Sequence, residues 1–129
     1  MSALLSHRYY KAKDGTLKAG PGCFVSGLEF SAGVTAEVVG KPEPGFFQAA
    51  IEALNREKLS SSPLKPDEVV MIGDDAHDDV AGAKKVGCHG ILVMTGKYRH
   101  GDENKASPAP DATCDNLEEA ARLIVDRLL

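Results

Sequence analysis

Tryptophan is absent from this chain of 129 residues, and only 5% of its residues are aromatic. Cysteine is scarce as well, because Cys23, Cys88 and Cys114 are widely spaced and form no C-x-x-C pair. This pattern argues against a zinc ribbon and a disulfide framework, and it favours a reducing compartment. The first eight residues lack the basic region and apolar core of a secretory signal. We therefore expect a cytoplasmic protein.

Long apolar runs and an excess of positive charge are also missing. No stretch approaches the roughly 20 apolar residues that a membrane helix needs. Fifteen Lys and Arg against nineteen Asp and Glu leave a formal net charge of −4, which gives no electrostatic support to a nucleic-acid partner. With 43% hydrophobic and 26% charged residues, the composition is typical of one globular domain without a nucleic-acid or membrane partner.

Apolar strands and amphipathic helices alternate from Glu37 onward, which is typical of an α/β protein with a parallel sheet of Rossmann-like type. The two clearest strands have short apolar runs bounded by turn residues. Asp115 and Glu118 fit a capping box for the last helix, and its predicted buried face carries Leu117, Ala120, Ala121, Ile124 and Leu128. The apolar face of the helix that begins at Pro44 is predicted at Phe47, Ala50, Ile51 and Leu54. The predicted strands cover residues 37–39, 69–72 and 91–94, and the predicted helices begin at Pro44, near residue 76 and at residue 116, directly after Asp115.

The first 36 residues do not follow this alternation. Residues 8–11 and 15–17 look like short β-strands around an Asp14-Gly15 turn, and residues 21–32 look like a helix. We therefore divide the chain into two parts, residues 1–36 and residues 37–129.

Four carboxylates lie within six residues directly after the predicted strand 69–72, at Asp74, Asp75, Asp78 and Asp79. Such crowding is unfavourable unless a cation lies among the acids, and hard oxygen ligands at the end of a strand suit Mg²⁺. The alternative is that one acid caps the helix while the others are solvated. His77 is interpreted as a surface residue because imidazole is not a preferred Mg²⁺ ligand.

Lys41 follows Gly40 at the end of another predicted strand, where an ammonium group could neutralise phosphate charge. It is not a Walker lysine, because Thr35 and Pro42 stand where that motif needs Gly and Ser or Thr. Cys88 and Cys114 lie in apolar surroundings and are interpreted as packing residues.

Four segments in this order resemble the haloacid dehalogenase (HAD) superfamily, in particular its large-cap subgroup of NagD-like and pyridoxal phosphatase-like proteins. The resemblance covers nearly the whole chain and corresponds to the carboxyl-terminal half of these proteins. The segments are Val-Gly-Lys-Pro-Glu-Pro-Gly-Phe-Phe at 39–47, Val-Met-Ile-Gly-Asp-Asp at 70–75, Asp-Val-Ala-Gly-Ala at 79–83 and Thr-Gly-Lys-Tyr at 95–98.

The resemblance implies a Mg²⁺-dependent phosphatase that acts on a small phosphorylated substrate through an aspartyl-phosphate. Lys41 matches the lysine that holds the phosphoryl group, and Asp74 matches the direct Mg²⁺ ligand. Asp75 and Asp79 match acids that support the metal. Residues 1–36 resemble the last part of the cap domain, and residues 37–129 resemble the second half of the hydrolase core.

One departure from the family concerns the nucleophile. HAD enzymes attack phosphate with the first aspartate of an Asp-x-Asp motif, and no two aspartates of this chain are separated by one residue. We therefore expect an incomplete core with little or no turnover alone, which self-associates or pairs with a missing amino-terminal half.

Two other functional classes share features with these residues. A non-catalytic α/β module that binds a metal or a partner stays open as an alternative. A phosphoacceptor receiver domain ranks last, because its lysine follows its acids along the chain, whereas Lys41 precedes them.

Overall fold

The computed structural model describes residues 2–3, 8–57 and 62–128, with the side chains of residues 2, 3 and 128 outside the description. The chain forms an α/β fold in which short strands alternate with helices. Two short 3-10 turns lie at Pro66–Glu68 and Asp102–Asn104. The strands are β1 (Ser2–Ala3), β2 (Tyr9–Lys11), β3 (Leu17–Ala19), β4 (Glu37–Val38), β5 (Val70–Gly73), β6 (His89–Val93) and β7 (Ala112–Cys114); the helices are α1 (Gly22–Ala32), α2 (Pro44–Arg56), α3 (Gly82–Lys85) and α4 (Leu117–Leu128).

The main sheet is parallel and has the order β5-β6-β7. Its register pairs Ile72 with Ile91 and Val93 with Cys114. β6 has a neighbour on each side, and its last four residues are buried, whereas all four residues of β5 are half-buried. β5 is thus an edge strand within the described part of the chain.

Helices cover both faces of this sheet because side chains alternate along β6. Ile91 and Val93 pack with Cys114 and with Ala120 of α4. Leu92 points to the other face and packs with Val80. Both cysteines of the main sheet region, Cys88 and Cys114, are buried, which confirms the prediction that they are packing residues.

α2 begins at Pro44, as predicted, because proline has no N–H to leave unpaired in a first turn. Phe47 and Ile51 face inward and pack against Ala83 and Cys88. Ala50 was predicted to share this face, but it is exposed. The contact with α3 is close, because a Cβ at Gly82 would lie 2.7 Å from the Phe47 ring.

The amino-terminal residues form the predicted hairpin, with Tyr9 opposite Ala19 and Lys11 opposite Leu17. Gly15 has φ +81° in its turn, a conformation that glycine adopts without steric cost. α1 follows, but Phe24 and Phe30 on it are 73% and 91% exposed. The prediction of a hairpin and a helix is confirmed.

Two local predictions are wrong. The strand before Lys41 was expected to join the parallel sheet, but β4 pairs with β1 in a separate ladder. The capping box is displaced by one residue, because Asn116 rather than Asp115 precedes the first residue of α4. The Asn116 Oδ1 accepts the Glu119 N–H at 3.0 Å, and the Glu119 side chain accepts the Asp115 N–H at 2.5 Å.

The buried face of α4 also differs from the prediction. Ala120 is buried and Ile124 is half-buried, but Leu117 is 62% exposed, and Leu123 takes its place against the sheet. The predicted contribution of Leu128 lies outside the described side chains. Within the residues that the structure describes, no helix has the length and apolar composition needed to cross a membrane.

Candidate functional site

The acid cluster lies at the carboxyl end of β5. Asp74 follows the last residue of the strand, and Asp75 caps the turn that comes next. The Asp75 Oδ1 accepts the N–H groups of His77 and Asp78 at 3.0 and 2.8 Å. The chain then makes one π-helical turn, Ala76–Ala81, instead of starting directly as an α-helix. The alternative interpretation of the cluster, that one acid caps the helix, is therefore correct for Asp75.

Asp79 is the buried acid of the cluster, with 3% of its surface exposed. Its Oδ1 lies 2.5 Å from the Nζ of Lys41, and its Oδ2 accepts the Asp75 N–H at 3.2 Å. Lys41 comes from the segment between β4 and α2, 38 residues earlier in the chain. The fold thus joins the predicted lysine to the predicted acids, although β4 is not a strand of the main sheet.

Lys97 is a further cation of the site, to which the sequence interpretation assigned no role. Its Nζ lies 2.6 Å from the Asp75 Oδ2, and its backbone N–H donates to the Asp74 Oδ2 at 2.7 Å. Lys97 follows β6, whose carboxyl end adjoins that of β5 in a parallel sheet. Functional residues of an α/β sheet lie at the carboxyl ends of its strands, and this rule, which led to Asp74, therefore also points to the residues that follow Met94.

The Asp75–Lys97 pair has the electrostatics expected of a partly buried ion pair. Burial opposes ionisation of Asp75, but hydrogen bonds from the Asp78 N–H and from Lys97 outweigh it, so the pKa of Asp75 is lowered. Burial likewise opposes the charge on Lys97, but the Asp75 carboxylate outweighs it and the pKa of Lys97 is raised. Both groups are therefore charged at neutral pH.

Two glycines leave room for the carboxylates. A Cβ at Gly73 would lie 2.3 Å from the Asp79 Oδ2, and a Cβ at Gly96 would lie 1.8 Å from the Asp74 Oδ2. Gly96 also has φ +54°, which side-chain-bearing residues rarely adopt. These positions require glycine because any side chain would displace an acid.

The donor chemistry of the cluster suits Mg²⁺, which binds carboxylate oxygens and retains waters. Asp74, Asp75 and Asp79 all lie at one end of β5, but two of them are paired with lysines. In the part of the chain that the structure describes, no three potential ligands converge on one point. The site therefore fits an ion held by one or two of these carboxylates and does not fit an all-protein cage.

A cavity of about 540 Å³ opens beside the cluster. One wall comes from the main sheet region and the other from the amino-terminal hairpin. The Arg99 guanidinium stacks over the Tyr9 ring at 4.4 Å and so connects the two walls. The cavity is lined by Arg8, Tyr9, Pro42, Glu43, Asp75, His77, Asp78 and Lys97.

His77 is a surface residue, as predicted, and the other polar residues of the region pair among themselves. The His77 side chain is 67% exposed and lies 2.8 Å from the Asp78 Oδ1. In the loop after β6, the Glu103 carboxylate accepts the Tyr98 hydroxyl at 2.7 Å. Burial raises the pKa of the Cys88 thiol, which is the opposite of what a nucleophilic cysteine requires.

Comparison with known proteins places these features in a family. A model of the HAD-hydrolase-like family matches residues 38–120. Haloacid dehalogenase-like hydrolase domain-containing protein 2 of Homo sapiens is 49% identical over 127 residues, which are 98% of this chain and 46% of that protein. Phospholysine phosphohistidine inorganic pyrophosphate phosphatase of Xenopus laevis is 42% identical over 118 residues, which are 92% of this chain and 40% of that protein.

Solved structures show the same similarity. The p-nitrophenyl phosphatase from Archaeoglobus fulgidus superposes with a TM-score of 0.73 at 25% identity, over 92% of this chain and 44% of that one. A glycerol phosphate phosphatase from Mycobacterium tuberculosis, solved in complex with magnesium, has a TM-score of 0.68 at 25% identity, over 89% of this chain and 32% of that one. The chain spans just under half the length of the curated relatives it matches.

Proposed function

The chain belongs to the HAD-like hydrolase family, and from this membership we propose that the complete protein is a Mg²⁺-dependent phosphatase that acts on a small phosphorylated substrate. The observation that carries the proposal is the contact between Lys41 and Asp79 beside Asp74, because it joins a cation and the acid cluster at one sheet edge. Relatives and structural neighbours named as phosphatases support it.

The residues have distinct roles in this proposal. Lys41 presents its ammonium group to the phosphoryl oxygens, and Asp79 holds that group in place from its buried position. Asp74 binds the metal directly, and Asp75 and Asp79 support it. Lys97 orients Asp74 through its N–H and Asp75 through its Nζ. When bound, Mg²⁺ would neutralise charge on the phosphoryl group.

The nucleophile is the part of the reaction that this chain does not supply. We infer that an aspartate from a segment outside this sequence attacks the phosphoryl group, forms an aspartyl-phosphate and releases the alcohol, after which water hydrolyses the intermediate. The chain alone would then have little or no turnover. Residues 1–36 would be the end of the cap domain, and residues 37–129 the second half of the core.

The open edge of β5 is the place where the missing half would pair. β6 occupies one edge of β5, and its other edge has no strand partner among the described residues. An apolar cavity of about 300 Å³ also opens between the face of the main sheet and α4, lined in part by Val70, Ile91 and Leu123. We propose that a strand of the amino-terminal half covers this edge, and that the isolated chain self-associates through it.

The test uses the complete protein, with hydrolysis of p-nitrophenyl phosphate measured at increasing Mg²⁺ concentration. We expect Asp74→Asn to remove Mg²⁺-dependent hydrolysis without shifting the urea unfolding midpoint. Lys41→Ala should weaken phosphate binding and slow turnover. Asp126→Asn is the matched control, because Asp126 is exposed near the end of α4. Retained Mg²⁺-dependent turnover in Asp74→Asn would refute the metal assignment, and unchanged kinetics in Lys41→Ala would refute the role of the lysine.

A further inference from the structure

Arg8 lies in the hairpin wall of the 540 Å³ cavity, opposite the acid cluster. It directly precedes β2, and its backbone carbonyl accepts the Gly20 N–H at 2.9 Å, which extends the β2–β3 ladder by one pair. Arg8 also lines the smaller neighbouring cavity of about 210 Å³ that contains Asp74. The backbone around Arg8 is therefore held beside the space that a substrate would occupy.

The lysines beside the two cavities are paired with carboxylates, and the Arg99 guanidinium stacks on the Tyr9 ring. Lys41 pairs with Asp79, Lys97 with Asp75, and Lys105 with Asp102 at 2.8 Å. Among the residues that the structure describes, no ion pair is recorded for the Arg8 guanidinium. A cation that faces a small cavity without a carboxylate partner favours an anionic group on the ligand.

The neighbouring residue holds this wall in place. The Tyr9 ring lies under the Arg99 guanidinium at 4.4 Å, and Arg99 belongs to the loop that begins with Lys97. Such a cation–π contact is attractive even at an exposed site. The contact connects the hairpin to the loop that orients Asp74, and it holds the residue next to Arg8 at the cavity wall.

We propose that Arg8 binds a second oxyanion of the substrate, at the end away from the transferred phosphoryl group. The proposal rests on the proposed phosphatase function and narrows its substrate class to phosphate monoesters that carry a further acidic group. The planar guanidinium matches a carboxylate in a bidentate geometry, which gives selectivity as well as affinity. Lys41 and the acid cluster bind the phosphoryl end, and Arg8 determines which esters fit.

The test compares esters that differ by one carboxylate. Ethyl phosphate and phosphoglycolate form a short pair, and phenyl phosphate and 4-carboxyphenyl phosphate form a long pair. Each ester is titrated into the ¹⁵N-labelled 129-residue chain in the presence of Mg²⁺. Changes in the backbone amide chemical shifts give the dissociation constant of the ester, and no turnover is needed. In at least one pair we expect the ester with the carboxylate to bind about tenfold more tightly than the ester without it. A single hydrogen bond between charged groups gives a gain in affinity of this size.

Arg8→Ala should remove this preference and leave the affinity for the ester without the carboxylate unchanged. Lys11→Ala is the matched control, since Lys11 is an exposed cation at the other end of β2 and does not line the cavity. It should retain the preference. An equal loss of affinity for both members of a pair in Arg8→Ala would overturn the proposal, because Arg8 would then bind the phosphoryl group itself.

A wild-type chain that binds the esters without any preference for the carboxylate would also overturn the second-anion site, while the proposed phosphatase would stand. Preserved preference in Arg8→Ala would assign the second anion to another residue and refute the role of Arg8. A chain that binds neither member of either pair would overturn the proposal together with the phosphoryl site. Absence of Mg²⁺-dependent hydrolysis in the complete wild-type protein would refute the proposed phosphatase function. It would leave the measured preference of the chain for a carboxylate as a separate result.

Discussion

Substitution of Gly96 by alanine tests whether the loop after β6 is shaped by the position of Asp74. Gly96 has φ +54°, and a Cβ there would lie 1.8 Å from the Asp74 Oδ2. That oxygen accepts the Lys97 N–H at 2.7 Å. An alanine would therefore adopt an unfavourable backbone conformation and also push the carboxylate away from its donor.

The two costs can be estimated separately. A side-chain-bearing residue in the left-handed region costs about 1–2 kcal/mol. A hydrogen bond to a charged group contributes about 1.5–3 kcal/mol, so loss of the Asp74 contact raises the total to roughly 2.5–5 kcal/mol. Gly33→Ala is the matched control, because Gly33 has φ +65° and open space around its Cβ position. It should lose only the backbone contribution, about 1–2 kcal/mol.

Urea unfolding of both variants, followed by far-UV circular dichroism, measures the difference. We expect Gly96→Ala to lower the free energy of unfolding by about twice as much as Gly33→Ala, with similar m-values. Equal losses in the two variants would refute the reasoning, because they would show that Asp74 moves aside without cost.

Two further predictions concern the core and the opposite end of the sheet. Phe47→Ala should lower the free energy of unfolding by about 3–5 kcal/mol, because Phe47 is 5% exposed. The control Phe30→Ala, at a side chain that is 91% exposed, should change the free energy of unfolding by less than about 0.5 kcal/mol. Similar urea midpoints for the two variants would contradict the packing of α2. Burial opposes ionisation of Asp111, but Lys84 and the Gly90 N–H outweigh it and lower the pKa of Asp111. Its stabilising contribution should therefore be complete above the unfolded pKa and be lost as the pH falls through the lower folded pKa, so the stability gap between wild type and Asp111→Asn should shrink below about pH 4. A gap that stays constant down to pH 2 would contradict this.

The fold was largely predictable because its elements carry local signals. The apolar run before Asp74 predicts a strand, and β5 covers Val70–Gly73. Pro44 predicts the start of α2, and Gly87, with φ +92°, ends the helix before β6. The cap of α4 was misplaced by one residue because Asp115 and Asn116 are both good capping residues, and the packing of the helix decides between them.

The site was predictable in its residue types but not in its pairing. Crowded acids at a strand end indicate a cation, whichever residue supplies it. Lys97 has no predicted role, because its place in the Thr-Gly-Lys-Tyr segment after a strand does not show which acid it pairs with. The strand before Lys41 was placed in the main sheet because its apolar pattern does not show which strand it pairs with, and it pairs with β1.

The sequence by itself determined the class of this protein, the α/β alternation and the identity of Lys41, Asp74, Asp75 and Asp79 as candidates, because these depend on periodicity and on residues close together in the chain. The tertiary structure decided the contacts between distant segments. It joins Lys41 to Asp79 across 38 residues, brings Lys97 to the acids, and places Arg8 in the wall of the same cavity. Parallel strands end at one edge of a sheet however far apart they lie in sequence, and only the folded chain shows which side chains meet there.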